Sequence, residues 1–213
     1  MGTKYHQSLH IFFFPFLAHG HIIPTVDMAK LFASKGVKAT IITTPLNQPF
    51  ISKSIEKSII SGHNIHIQII QFPSSKAGLP NGCENMDSIP SHEYFFEFWK
   101  ATKILLQDPF EKLLFEQNPD CVIADVFFPW TTDSAAKFGI PRLVFHGTGF
   151  FSLCTTECVR LYEPFKNVSS DSEAIVIPNL PGEIKITKLQ IPPFENLKEI
   201  EGMGGAVAEP EKL

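Results

Sequence analysis

Apolar residues along this chain fall into two kinds of run. The first kind is continuous: "SLHIFFFPF" (8–16) shows no alternation, the form of a parallel strand covered on both faces. The second kind recurs at helical spacing: Ile22, Val26, Ala29 and Ala33 share one side of a helix whose other side carries Asp27, Lys30 and Ser34, with Pro24 in its first turn and Gly36 as its stop. "VKATIITTP" (37–45) and "IHIQIIQFP" (65–73) predict the second and third strands, separated by mixed polar signals and a short helix over 46–64. Residues 74–92, rich in Gly, Pro, Ser and Asn, predict a long surface loop, and loops of that length usually carry function.

A helical stretch from Glu93 to Gln117 leads into "PDCVIADVFF", the fourth strand, with Asp125 near its C-terminal end. The rhythm continues through the helix "PWTTDSAAKFG", the strand "PRLVFHGT" and the helix "GFFSLCTTECVRLY", then fails after Glu163, where the sequence becomes extended and proline-interrupted. Strands alternating with helices predict an α/β fold built on a doubly wound parallel sheet.

Composition narrows the function classes. The chain has 213 residues, a formal charge of −4, 44% hydrophobic and 19% charged residues, which is ordinary for a globular protein and gives no basic footprint for nucleic acid. No apolar segment reaches the roughly 18 residues of a membrane span. The N-terminus lacks the apolar core of a signal peptide, so the expected location is cytoplasmic and the "NVS" sequon at Asn167 is discounted. Cys83, Cys121, Cys154 and Cys158 show no CxxC or zinc spacing and read as free buried thiols.

In a doubly wound sheet, ligands sit beyond the C-terminal ends of the strands where strand order reverses, here between the first and fourth strands. His19 and His21 follow the first strand and Asp125 ends the fourth, so the topology predicts their convergence at one crevice. A neutral imidazole beside a carboxylate can accept a proton from a hydroxyl. The same letters allow a plainer reading, in which His21 and Asp125 only cap the helices that follow them. Metal ligation by His19 and His21 finds no further ligand at a suitable spacing. The chain has no G-x-S-x-G elbow, no G-x-G-x-x-G turn and no G-x-x-x-x-G-K-[ST] loop, which argues against a hydrolase, a nicotinamide or flavin site and a P-loop.

Three blocks, "HIFFFPFLAHGHIIPTVDMAKLFASKGVKATIITTPLN", "PDCVIADVFFPWTTDSAAKFGIPRLVFHGT" and "VIPNLPGEIKITKLQIPPF", closely resemble the N-terminal half of plant UDP-dependent glycosyltransferases, of the branch acting on phenolic and terpenoid small molecules. The resemblance covers residues 8 to 195. It implies a Rossmann-like acceptor-binding domain over 1–195, one half of a GT-B architecture, followed by a tail over 196–213. The implied activity is transfer of glucose from UDP-glucose to an acceptor hydroxyl with inversion, with His21 as the base and Asp125 as its partner. The UDP-sugar would be a co-substrate; no cofactor, metal or covalent intermediate is needed. His19 falls where many members have glutamine and stays outside the catalytic set.

The acceptor site is expected at Gly20, Phe95, Trp99, Phe127, His146 and Thr148, an aromatic-lined cleft suited to a planar phenolic. The alternative for each aromatic is a place in the core. The chain also lacks the family's C-terminal "HCGWNS" segment, which binds the nucleotide sugar in relatives; its tryptophans, Trp99 and Trp130, lie elsewhere. The expected partners are therefore a small-molecule acceptor and a UDP-sugar held through a missing C-terminal domain. A catalytically inactive, truncated acceptor-binding module is the alternative.

Overall fold

The computed structural model describes residues 8–166 and 168–191, which divide between two compact units, Met1–Gly147 and Thr148–Leu213. The expected tail over 196–213 and the sequon residue Asn167 lie outside the described residues.

In the first unit the order is β1 (His10–Phe14), α1 (His19–Ser34), β2 (Lys38–Thr43), α2 (Gln48–Ile60), β3 (Ile65–Ile69), α3 (Ser74–Ala77), α4 (Phe95–Lys100), α5 (Gln107–Gln117), β4 (Cys121–Asp125), α6 (Thr131–Ala136) and β5 (Arg142–Phe145). The strands form one parallel sheet in the order β3-β2-β1-β4-β5. The chain winds outward from β1 to β3, then returns to the other side of β1 with β4. That reversal creates the switch point between β1 and β4, as the pattern of runs predicts.

The continuous apolar run of β1 is explained by its two covered faces. Phe12 and Phe14 point into one core with Phe98, Phe110, Leu114 and Phe128, while Ile11 and Phe13 point into another with Ile22, Val26, Ile51 and Ile55. All four apolar residues expected on the inner side of α1 are buried.

Three local expectations change. Pro24 is the sixth residue of α1 rather than part of its first turn, because the helix already begins at His19, with Ala18 O accepting the His21 and Ile22 N–H groups. The proline ring removes only the N–H that would have paired with the Gly20 carbonyl. The short helix expected in 46–64 is a full 13-residue α2, held by Ile51 and Ile55 one turn apart against the sheet. The segment 74–92 is built into the fold rather than laid over it. Ala77, Leu79, Cys83 and Asn85 are buried, and Asn85 donates to Asn47 Oδ1 at 2.7 Å.

The second unit contains α7 (Phe150–Tyr162) and an antiparallel pair, β6 (Ile175–Val176) with β7 (Lys185–Ile186). The described cysteines are all free; Cys83 is buried and the other three half-buried. Among the described residues no helix is long and apolar enough to cross a membrane.

Candidate active site

β1 ends at Phe14, and Pro15 follows with no N–H for a further ladder bond. The chain folds over at Phe16, and Ala18 becomes the N-cap of α1 without a side chain able to cap it. A carboxylate from outside takes that place. Asp87 Oδ2 accepts the His19 backbone N–H at 2.8 Å and meets His19 Nδ1 at 2.6 Å. The 74–92 segment is fastened further where Met86 N–H donates to the Leu17 carbonyl at 2.7 Å.

His21, two residues on, faces another way. Its Nδ1 lies 2.7 Å from Asp125 Oδ2, and the aspartate is fully buried while the imidazole keeps 24% of its surface exposed. The β1–β4 register, with Phe14 opposite Ala124, brings the two strand ends level and so delivers Asp125 to the first turn of α1. Asp125 Oδ1 also accepts the Phe127 N–H at 3.0 Å. Asp125 therefore does close a local turn, as the capping reading holds, but the α6 N-cap is Trp130, and the other carboxylate oxygen is given to His21. A carboxylate can only accept, so Nδ1 carries the proton of the neutral ring and Nε2 is left as a lone-pair base.

An aromatic wall adjoins this base. The His21 ring contacts Phe16 and Phe127 at centroid separations of 5.5 and 5.3 Å, and Trp99 lies 5.7 Å from Phe16 and 5.3 Å from Phe127. Phe95 stacks on Trp99 at 6.0 Å and remains partly exposed. Lys103 covers the Trp99 ring, its Nζ 5.0 Å from the centroid, and burial lowers its pKa. Three expected acceptor residues, Phe95, Trp99 and Phe127, thus form one connected set with His21. Buried Phe98, the neighbour of Trp99 in sequence, belongs to the core instead.

Gly20 is exposed beside His21, with no atom within 4 Å of where a Cβ would stand. Its carbonyl is the one Pro24 deprives of a helical donor. His146 is exposed, yet desolvation of its ring lowers its pKa; the charge of Asp125 opposes that shift and His21 adds to it. Next to it, a Cβ on Gly147 would stand 3.8 Å from the His21 ring. Thr148 belongs to the second compact unit and is exposed there.

Comparison with known proteins gives the family of the chain. A scopoletin glucosyltransferase of Nicotiana tabacum is 58% identical over 196 residues, which make up 92% of this chain and 41% of that protein. UDP-glucose flavonoid 3-O-glucosyltransferase 7 of Fragaria ananassa is 51% identical over 212 residues, 100% of this chain and 42% of its own length. The crystal structure of UGT73P12 from Glycyrrhiza uralensis, complexed with glycyrrhetinic acid 3-O-monoglucuronide, matches with a TM-score of 0.82 at 35% identity, over 88% of this chain and 38% of that one. The chain belongs with the plant UDP-glycosyltransferases and matches their N-terminal part. It spans about two fifths of the length of these relatives, and its sheet is the Rossmann-like counterpart of the matched part of their GT-B fold. No family model matches the chain.

Within this glycosyltransferase frame, sequence reasoning missed Phe16, Asp87 and Gly147, which adjoin the two histidines. Phe16 was hidden inside an apolar run read as strand, although an aromatic just past the proline that ends a switch-point strand is a usable signal. Asp87 had no such signal, because its partner lies 68 residues away.

Proposed function

We propose that this chain is the acceptor-binding half of a UDP-glucosyltransferase that glucosylates a hydroxyl of a small phenolic, with inversion. The observation that carries the reading is the 2.7 Å bond from His21 Nδ1 to the buried Asp125, which leaves Nε2 as a base beside an aromatic wall. In this reading Nε2 takes the proton of the acceptor hydroxyl as its oxygen forms a bond to the anomeric carbon. The bond from that carbon to the UDP oxygen breaks, and UDP leaves with the electron pair. Attack from the face opposite UDP inverts the configuration. Asp125 supports the imidazolium that forms.

The names of relatives support the acceptor class, since scopoletin and flavonoids are flat phenolics, and the rings of Phe95, Trp99 and Phe127 offer flat apolar faces to such a molecule. Terpenoid acceptors remain a wider form of the same proposal, and the partners are the small acceptor and a UDP-sugar. The cytosol is the proposed compartment, in keeping with four free thiols.

The test joins this chain to the C-terminal part of the tobacco relative and supplies UDP-glucose with a panel of coumarins and flavonols. Glucoside formation by the joined protein, lowered at least about 100-fold by His21→Ala, is the expected result. The chain alone should quench its tryptophan fluorescence with phenolics yet give no saturable calorimetric signal with UDP-glucose. Phenolic binding without turnover in any joined form would leave an acceptor-binding module and overturn the enzymatic reading.

A further inference from the structure

Arg142 opens β5, in register with Val122 of β4, and its side chain reaches three residues along the sheet toward the site. One terminal guanidinium nitrogen donates to the Asp125 carbonyl at 2.9 Å and the other to Thr132 Oγ1, in α6, at 2.7 Å. Strand pairing does not require these bonds, because β4 and β5 are already joined along their length and Val126 N–H donates to the Phe145 carbonyl at 2.9 Å. The arrangement also has a cost. The Arg142 Nε is buried without a partner, and desolvation lowers the guanidinium pKa, opposed by the charge of Asp125. A desolvated cation with one donor unmet costs free energy that its other hydrogen bonds must offset, so the bonds at its terminal nitrogens matter.

That other end holds the peptide from which the Asp125 side chain springs. The Asp125 carboxylate is fully buried, and its protein donors are the His21 ring and the Phe127 N–H. Its direction therefore depends on how rigidly the turn from Asp125 to Phe128 is held. Phe128 N–H and Arg142 both donate to the Asp125 carbonyl, and Arg142 ties the same turn to the first turn of α6 through Thr132. We propose that Arg142 is a positioning residue for the His21–Asp125 pair: it fixes the β4–α6 turn so that Asp125 keeps the proton of His21 on Nδ1 and its lone pair on Nε2, and its positive charge interacts favourably with the aspartate. The proposal rests on the reading of His21 and Asp125 as a working pair.

The tautomer of His21 reports it directly. In the 213-residue chain with ¹⁵N-labelled histidine, two-bond ¹H–¹⁵N correlation spectra distinguish a protonated Nδ1 from a protonated Nε2, with His21→Gln assigning the signal. The wild type should show the Nδ1–H form. Arg142→Met should lower that form at least about twofold and broaden the signal, Arg142→Lys should fall between, and Thr132→Val should have a smaller effect in the same direction. A purely structural arginine would lower the melting temperature in these variants and leave the tautomer alone. A folded Arg142→Met with the wild-type spectrum overturns the proposal; if that variant does not fold, wild-type spectra in both Arg142→Lys and Thr132→Val do so. Asp125→Asn is measured alongside. No change there means the pair itself is misread, whereas a change there with none in the arginine variants removes only the role of Arg142.

Discussion

Two histidines two residues apart in the first turn of α1 each meet an aspartate through the same atoms, Nδ1 and Oδ2, at 2.6 Å for His19–Asp87 and 2.7 Å for His21–Asp125. Distance does not separate them; surroundings do. His19 and Asp87 are 52% and 50% exposed, whereas His21 and Asp125 are 24% and 0% exposed. Water screens the outer pair, and such pairs are worth about 0–1 kcal/mol. The inner pair sits where the field of a carboxylate is far less screened, so it can set a tautomer and stabilise a transient cation. The outer aspartate has a second task, accepting the first N–H of α1 while its segment is fastened to Leu17. One pair thus holds a loop to a helix, and the other, in the proposed chemistry, prepares a base.

The sharpest way to break this contrast is to remove each imidazole in turn. In the joined protein His21→Ala should lower turnover by about 10²–10⁴-fold, the usual worth of general base catalysis, with acceptor affinity little changed. His19→Ala should cost less than tenfold, and His19→Gln less still, because glutamine can keep a hydrogen bond to Asp87. Single-turnover glucoside formation measures both. Equal losses would mean that burial does not separate the two pairs.

A smaller effect is expected from the inner carboxylate. Asn at position 125 can still accept the Phe127 N–H through its amide oxygen, so the turn survives. Orientation of His21 weakens, and turnover should drop about 10–100-fold, the scale known when a carboxylate orienting a metal-bound histidine is lost. If Asp125→Asn keeps both its rate and its melting temperature, Asp125 is a turn former and nothing more.

How much of this was legible from sequence follows from the range of the forces involved. The sheet order and the meeting of His21 with Asp125 come from hydrophobic period and winding, which are written locally in runs such as "HIFFF" and "CVIAD". The helix over Gln48–Ile60 was under-read because two buried isoleucines, Ile51 and Ile55, outweigh eleven residues of mixed signal. The 74–92 segment looked like a surface loop by composition, yet its buried positions and the Asn85–Asn47 and Asp87–His19 bonds are long-range facts that no local window contains. Arg142 was silent for the same reason: in "PRLVF" it is one polar residue opening a strand, and its partners Asp125 and Thr132 become neighbours only once β4 and β5 pair.

A third histidine sharpens the comparison by being buried with no carboxylate on its ring. His10 Nε2 lies 2.8 Å from Thr40 Oγ1, and its pKa is lowered to about 4, first by burial and then by Lys38, with Asp120 opposing and His66 adding slightly. The unfolded chain takes up this proton near the ordinary histidine value of about 6.5, and the native fold resists it until about pH 4. Between those values the unfolded state binds more protons. The His10 contribution to stability is therefore complete above pH 6.5 and is lost as pH falls toward 4, with a slope of at most about 1.4 kcal/mol per unit. Urea unfolding at pH 7.5, 5.5 and 4.5 should show this slope, and His10→Gln should flatten it. A slope unchanged in the variant would assign the acid sensitivity to other groups.

The smallest effect belongs to the outer aspartate. Asp87→Asn removes a negative charge from the N-terminus of α1, where a carboxylate is worth about 0.3–1 kcal/mol. The amide oxygen can still accept the His19 N–H, so the helix start is weakened rather than undone. For a chain of this size that loss lowers the melting temperature by up to roughly 4 °C. Because both partners are about half exposed, added salt should shrink the difference between wild type and variant, as screening already weakens the wild-type pair. The joined protein should keep its turnover within about twofold, since in the proposed chemistry neither Asp87 nor His19 touches the reacting hydroxyl. A large loss of rate in Asp87→Asn with the melting temperature intact would show that the outer pair feeds the inner one through the shared first turn of α1, and the two histidines would then have to be treated as a single device.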